Sequence, residues 1–379
     1  MSQRLTAIDL FCGAGGLSEG FRQAGFTIIA GNDCFEAAGE TFVATHPEAI
    51  FYPDPVENLT SDRILKETGL RRGDLTCLIG GPPCQAFSVY NHQRGMHDER
   101  ASLFREYLRL VEGLYPEWVI MENVTGILSA GGGEPVRAIT AGLEALGYQV
   151  TYQTLRAEDY GVPQERRRVV FIGNRIGAPL IMPEPTHGKD LQPYVTVWDA
   201  IGDFPKLQNG EAPTGPQRYR TAAFSAYQKE LRGNAIRVAN HQAARLSAIN
   251  EQRMQHIPPG GSWRDIPHDL LPAGMQRARR CDHTKRYGRL RKEGLSSTVL
   301  TKCDIHWGAY IHPEENRALT VREAARIQSF PDWFEFKGSR TDQYVQVGNA
   351  VPPLLGRTIA KAVIEALNQL NECELVAAE

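Results

Sequence analysis

Short apolar runs alternate with amphipathic stretches through the first 175 residues, and this rhythm narrows the possible folds more than any other feature of the chain. TAIDLF, FTIIAG, LTCLIGG, EWVIMEN and VVFIGN are brief and rich in β-branched or apolar residues, and each ends at Gly or a polar side chain. Runs of that kind read as buried strands. Between them, LSEGFRQAG, FEAAGETFVATH, SLFREYLRLVEGL and PVRAITAGLEALG space their apolar residues by three and four, as helices do. Strand alternating with helix predicts a doubly wound, mainly parallel α/β sheet, with ligands outside the carboxyl ends of its strands.

From about Pro185 the rhythm gives way to Pro- and Gly-rich sequence (QNGEAPTGPQ, IPPGGSW). A helical pattern returns at TVREAARIQSF, and VPPLLGRTIAKAVIEALNQL has the spacing of a terminal helix able to pack back on the sheet. A chain of 379 residues has room for one α/β domain interrupted by a second. Charge follows the same division. The net charge is only −2, which argues against a surface that grips a polyanion everywhere. Yet residues 185–300 hold 18 Lys and Arg against 10 Asp and Glu, a net of +8, leaving −10 for the remainder. RARRCDHTKRYGRLRK, from Arg277 to Lys292, carries eight basic residues against Asp282 alone, a density that suits phosphate contacts or a solvated surface. No apolar run approaches the ~18 residues of a membrane span, and no signal-peptide pattern opens the chain. The seven cysteines are scattered without a C-x-x-C pair, so free thiols and a cytoplasmic setting are expected.

Several positions carry chemistry. DLFCGAGG, from Asp9 to Gly16, joins the first strand to the first helix. Its glycines (Gly13, Gly15, Gly16) allow a tight turn and a close approach to a nucleotide, and Asp33 after the next strand is placed to accept from ribose hydroxyls. Asp54 continues the series near a strand end, as a ligand or as ordinary Asp-Pro turn chemistry. In GGPPCQAFS, two prolines stiffen the approach to Cys84, outside the sheet where a nucleophile belongs. Cys12, Cys34 and Cys77 read as small buried hydrophobes. Glu122, at the end of EWVIM, is a candidate proton donor or a cap or salt-bridge residue. The arginines of QERRR, Arg166 and Arg168 among them, suit an anionic intermediate or a surface cluster. Cys281-x-His283 and Cys303-x-x-His306 are spaced more tightly than usual structural zinc ligands, and no metal is expected.

Taken together and in order, DLFCGAGG, Asp33, Asp54, GGPPCQAFS, ENV, QERRR, RALTVREAARIQSFP and QVGNAVPP make the chain resemble the bacterial-type DNA (cytosine-5)-methyltransferases over nearly its whole length. The resemblance implies a Rossmann-like methyltransferase fold. Residues 1–184 would be the catalytic and cofactor-binding domain, 185–310 a smaller inserted target-recognition domain, 311–345 a hinge segment and 346–379 the return to the catalytic domain. It implies that S-adenosylmethionine is held by Phe11, Gly13, Gly15, Gly16, Leu17, Asp33, Asp54, Pro83 and Asn349, with Phe11 against the adenine. Arg168 would hold the cytosine O2 and Arg166 would lie near the thiolate. Gln85, Ser88 and Arg100 would close over a flipped base, and Arg277, Arg279, Arg280 and Thr298 would contact DNA. Thr298-Val299 departs from the usual Thr-Leu of that domain.

The implied reaction uses the residues jointly. Cytosine carbon 5 is a poor nucleophile until the Cys84 thiolate adds to carbon 6, while a proton from Glu122 to N3 offsets the developing charge. The base must leave the duplex to be reached. The expected partner is double-stranded DNA, with a separately acting cognate restriction enzyme, no membrane, and a monomeric chain. A nicotinamide oxidoreductase would share the Gly loop and Asp33 but leave Cys84, Glu122 and the basic insert without a role. An RNA methyltransferase on the same scaffold is the nearer rival, and an insert of over 100 residues favours reading of a DNA sequence. A non-catalytic DNA-binding descendant would have no use for thiol, carboxylate and arginines together.

Overall fold

In a computed structural model of the protein, residues 4–83, 103–279 and 281–378 are described. The chain forms two compact units: Met1–Tyr160 with Arg167–Pro185 and Val351–Glu379, and Gly161–Arg166 with Thr186–Ala350.

The first unit is built on a seven-stranded sheet. Its strands are β1 (Thr6–Leu10), β2 (Thr27–Asn32), β3 (Ile50–Tyr52), β4 (Cys77–Gly80), β5 (Trp118–Val124), β6 (Gln149–Arg156) and β8 (Arg167–Asn174); the two-residue strand β7 (Gln164–Glu165) falls in the second unit. The order is β3-β2-β1-β4-β5-β8-β6. Strands β1 to β5 pair in parallel, whereas β8 runs antiparallel to both β5 and β6. Helices α1 (Gly16–Gln23), α2 (Glu36–Thr45), α3 (Ser61–Thr68), α4 (Leu103–Leu114) and α5 (Glu134–Ala145) fill the crossovers. No α-helix separates β6 from β8, so the chain returns antiparallel there instead of crossing over.

β1 lies between β2 and β4, so the loops leaving β1 and β4 diverge to opposite sides and open a crevice at their carboxyl ends. Both predicted site loops, DLFCGAGG and GGPP, leave from this point. Ile8, Leu10, Leu78, Val119, Met121 and Phe171 are buried in the core beneath. The C-terminal helix Pro353–Ala378 packs on α1, and its approach requires glycine. A Cβ on Gly20 would lie 2.5 Å from the Pro353 carbonyl oxygen and 2.6 Å from the Arg357 backbone nitrogen.

The second unit consists of short elements, as its Pro- and Gly-rich sequence predicts. Met254, Ile257, Trp263, Ile266, Tyr287, Ile305 and Ile311 form its core. Residues 316–332 add a buried ionic layer. Arg317 donates to both carboxylate oxygens of Glu323, at 2.8 and 2.7 Å, and Arg326 to Asp332 and the Ala200 carbonyl. Arg322 donates to the carbonyls of Ala239, Pro331 and Phe334. The three arginines of RALTVREAARIQ thus work as structural ties. A charge this deep is tolerated only when its donors are met, as they are here.

Candidate active site and nucleic-acid interface

The Gly loop between β1 and α1 is shaped by left-handed backbone at Phe11 (φ 57°), Gly13 (φ 53°) and Gly15 (φ 93°). Phe11 adopts this conformation despite its side chain, a strain that commonly marks functional loops. Gly15 caps α1 without any side-chain hydrogen bond. Gly13 N–H donates to Asp33 Oδ2 at 2.8 Å, and Phe35 N–H to Asp33 Oδ1 at 2.8 Å, fixing the carboxylate at the end of β2. Burial pushes the Asp33 carboxyl upward, while the two backbone donors oppose the shift. Space beside Gly13 is open: a Cβ built there meets nothing within 4 Å. Open space over a glycine, bordered by a fixed, half-buried carboxylate, fits the adenosyl part of S-adenosylmethionine. Gly16 and Leu17 open α1 and are buried.

Asp9 and Ser18 lie behind the loop. Ser18 Oγ donates to Asp9 Oδ2 at 2.6 Å, and burial raises the Asp9 carboxyl to about 7. Asp54 is anchored at its backbone, where Asn32 Nδ2 donates to its carbonyl at 2.8 Å, while its carboxylate pairs with Arg63 at 2.7 Å on the surface. Of the thiols read as buried, Cys12 and Cys77 are so, but Cys34 is exposed. It follows Asp33 outside the sheet edge, where the apolar environment has ended.

On β5 and β8 the register brings two candidate catalytic groups together. Val124 faces Arg168 and Glu122 faces Val170, so Glu122 and Arg168 project from the same face on diagonal positions. Arg168 Nε lies 2.6 Å from Glu122 Oε1, with side-chain exposures of 14% and 12%. Asn123, on the opposite face, donates through Nδ2 to the Pro82 carbonyl at 3.1 Å, tying the prolyl loop to β5. The motif ENV was visible in the sequence, but this role of its middle residue was not. A Cβ on Gly81 would lie 3.0 Å from Glu122 Oε2, so the loop passes directly over the carboxylate. Pro83 is exposed; Cys84, Gln85, Ser88 and Arg100 lie outside the described residues.

The other expected site residues belong to the second unit. Arg166 is buried and donates to the carbonyls of Val299 (3.2 Å), Gly348 (3.1 Å) and Ala350 (2.8 Å). Asn349 is exposed at the end of the helix Arg340–Asn349. Thr298 Oγ1 donates to the Glu165 carbonyl at 2.6 Å, beside the pairing of Ser296–Ser297 with β7. Arg277 and Arg279 are exposed, Arg279 facing Asp282 at 3.4 Å; Arg280 lies outside the described residues. The basic run is not uniformly a surface feature. Arg289 is buried and donates to the carbonyls of Ile257, Met254 and His312. Burial sets Cys303 apart from the exposed Cys281, and among the described residues no three His, Cys, Asp or Glu side chains gather as metal ligands. Among the same residues no helix is long and apolar enough to cross a membrane.

A switch point in a mainly parallel sheet, with a glycine loop leaving β1 and a Glu–Arg pair on β5 and β8, is the frame of an α/β enzyme. The chain belongs to the C-5 cytosine-specific DNA methylase family, whose pattern matches residues 5–365. It is 35% identical to the Type II methyltransferase M.AgeI of Thalassovita gelatinovora, across 96% of this chain and 100% of that one. To the Type II methyltransferase M1.HphI of Haemophilus parahaemolyticus it is 37% identical, across 95% of this chain and 87% of the other. Among solved structures, a putative DNA modification methyltransferase encoded within an Escherichia coli prophage superposes with a TM-score of 0.77 at 25% identity, covering 96% of this chain and 99% of that one. The fold is also that of Spodoptera frugiperda DNMT2, with a TM-score of 0.60 at 15% identity and coverage of 95% and 99%. The chain is thus a DNA (cytosine-5-)-methyltransferase by family.

Proposed function

We propose that this enzyme methylates carbon 5 of a cytosine flipped out of a specific double-stranded DNA sequence, through a covalent Cys84 adduct, as the modification partner of a separately acting restriction endonuclease. The observation that carries the chemistry is the Glu122–Arg168 pair. Cytosine presents N3 and O2 as neighbours on one edge, and a carboxyl beside a guanidinium on one sheet face complements that edge. Arg168 donates to O2, and Glu122 handles the proton at N3, offsetting the charge that develops when the Cys84 thiolate adds to carbon 6. Addition makes carbon 5 enamine-like. S-adenosylmethionine, when bound, would supply the electrophilic methyl group that carbon 5 accepts, its sulfur–methyl bond breaking to leave neutral S-adenosylhomocysteine. Loss of the carbon-5 proton then lets the thiolate leave and restores the ring.

The cofactor residues in this reading are Phe11, Gly13, Gly15, Gly16, Leu17, Asp33, Asp54, Pro83 and Asn349. Asp33 accepts ribose hydroxyls, and Asp54 would exchange its Arg63 pairing for the ligand. Arg166 fixes the backbone around Val299 and Ala350 within the second unit. In this reading Gln85, Ser88 and Arg100 contact the flipped base, while Thr298, Arg277, Arg279 and Arg280 contact the duplex. Recurrence of Type II methyltransferases among the relatives supports the restriction-modification assignment. A tritiated-methyl transfer assay on duplex DNA with Cys84→Ser tests the nucleophile: incorporation should vanish while S-adenosylmethionine binding persists. Retained turnover would refute the covalent route.

A further inference from the structure

In the second unit, residues 285–289 and 305–311 are joined by backbone hydrogen bonds. Tyr287 N–H donates to the Ile305 carbonyl at 2.6 Å and Ile311 N–H to the Gly288 carbonyl at 3.0 Å. A Cβ on Gly288 would lie 2.7 Å from Ala309 Cα, so the two segments run in direct backbone contact. Tyr287, Ile305 and Ile311 are fully buried in the unit's core, which makes this a rigid platform. From its edge Trp307 projects with 63% of its surface exposed, where most tryptophans are well buried. The Arg286 guanidinium lies over its ring, 4.6 Å from the centroid. Neighbouring cations of the basic run are differently committed. Lys285 faces Glu165 at 3.2 Å, Arg279 faces Asp282, Lys292 faces Glu314, and Arg289 is spent on carbonyls. Lys292 also lies over the Trp198 ring, but with its charge met by Glu314; Arg286 is set against the exposed ring of Trp307.

We propose that Arg286 and Trp307 form a sequence-reading element for double-stranded DNA, in which the indole holds the guanidinium in a fixed plane for bidentate donation to a guanine O6 and N7. The proposal rests on the reading of this chain as a duplex-DNA methyltransferase. A phosphate contact requires positive charge but little orientation, whereas a base edge requires the donor fork to be held in its plane. Stacking on a rigid aromatic supplies that orientation without neutralising the charge, which a carboxylate partner would do.

The test is bisulfite mapping of plasmid DNA methylated in vitro by the purified full chain and its Arg286→Ala, Arg286→Lys and Trp307→Ala variants, with Arg277→Ala as a charge control. S-adenosylmethionine titration verifies that each variant is folded. Arg286→Ala should lose at least roughly 10-fold of its discrimination at one G·C position of the site. Trp307→Ala should relax the same position, and Arg286→Lys should fail to restore it because an ammonium lacks the fork. Arg277→Ala should lower turnover on all sites without changing preference. Unchanged preference in Arg286→Ala, whether or not overall turnover falls, overturns the proposal. A wild-type chain that methylates no duplex DNA overturns the underlying reading as well.

Discussion

Asp9 shows how one residue of a candidate site loop serves the fold. It lies near the end of a buried strand with its carboxyl held by Ser18, and burial raises that carboxyl to about 7. An acid whose pKa is raised by folding contributes most below its unfolded value, and that contribution is lost as pH climbs from about 4 to about 7. Asn at this position keeps an acceptor for Ser18 and has no charge to bury. Thermal unfolding across pH 4 to 8 should show Asp9→Asn gaining on the wild type as pH rises, by on the order of 4 kcal/mol at the upper end. A difference independent of pH would mean that Asp9 does not titrate in this range. The catalytic candidates were legible one by one, since an acid or arginine at a strand end is visible in sequence. The contact between Glu122 and Arg168 was not, because it depends on an antiparallel register that no spacing within either segment encodes. Arg166 and Arg289 illustrate the converse. An arginine donating to buried carbonyls and one facing a phosphate are the same letter, and only packing separates them.

At the level of elements, the apolar runs located β1, β2, β4, β5 and β8, and the three-and-four spacing located α1, α2, α4 and α5. β6 escaped because it is an edge strand: QVTYQTLR is largely polar and half-exposed, with no apolar run to mark it. β3 is only three residues long, too short for a periodic signal. The crossing of α1 with the C-terminal helix brings two backbones into direct contact. Gly20→Ala would drive a methyl group into backbone atoms of Pro353 and Arg357, contacts that a side-chain rotation cannot relieve. Chemical denaturation should register a loss of roughly 1–3 kcal/mol. An unchanged midpoint would show that the helices separate at little cost.

Across the whole molecule, a net charge of −2 conceals a division in which residues 185–300 carry +8. Such a balance lets a scaffold stay acidic while one segment meets a polyanion. Neutralising Arg277, Arg279 and Arg280 together should weaken DNA binding and lower the slope of log affinity against log salt by about two to three units. An unaltered slope would assign the phosphate contacts elsewhere. The second unit's architecture was the least legible part of the chain. Its elements are short, and its stability draws on buried arginines at 317, 322 and 326 that resemble a solvated helix face in sequence. If this chain converts cytosine to 5-methylcytosine within one short duplex sequence, bisulfite sequencing of DNA from a host expressing it will register the product base by base. Cytosines should be protected from conversion at every copy of a single recurring site and nowhere else; full conversion throughout, with the protein folded and able to bind S-adenosylmethionine, would refute DNA methylation by this chain.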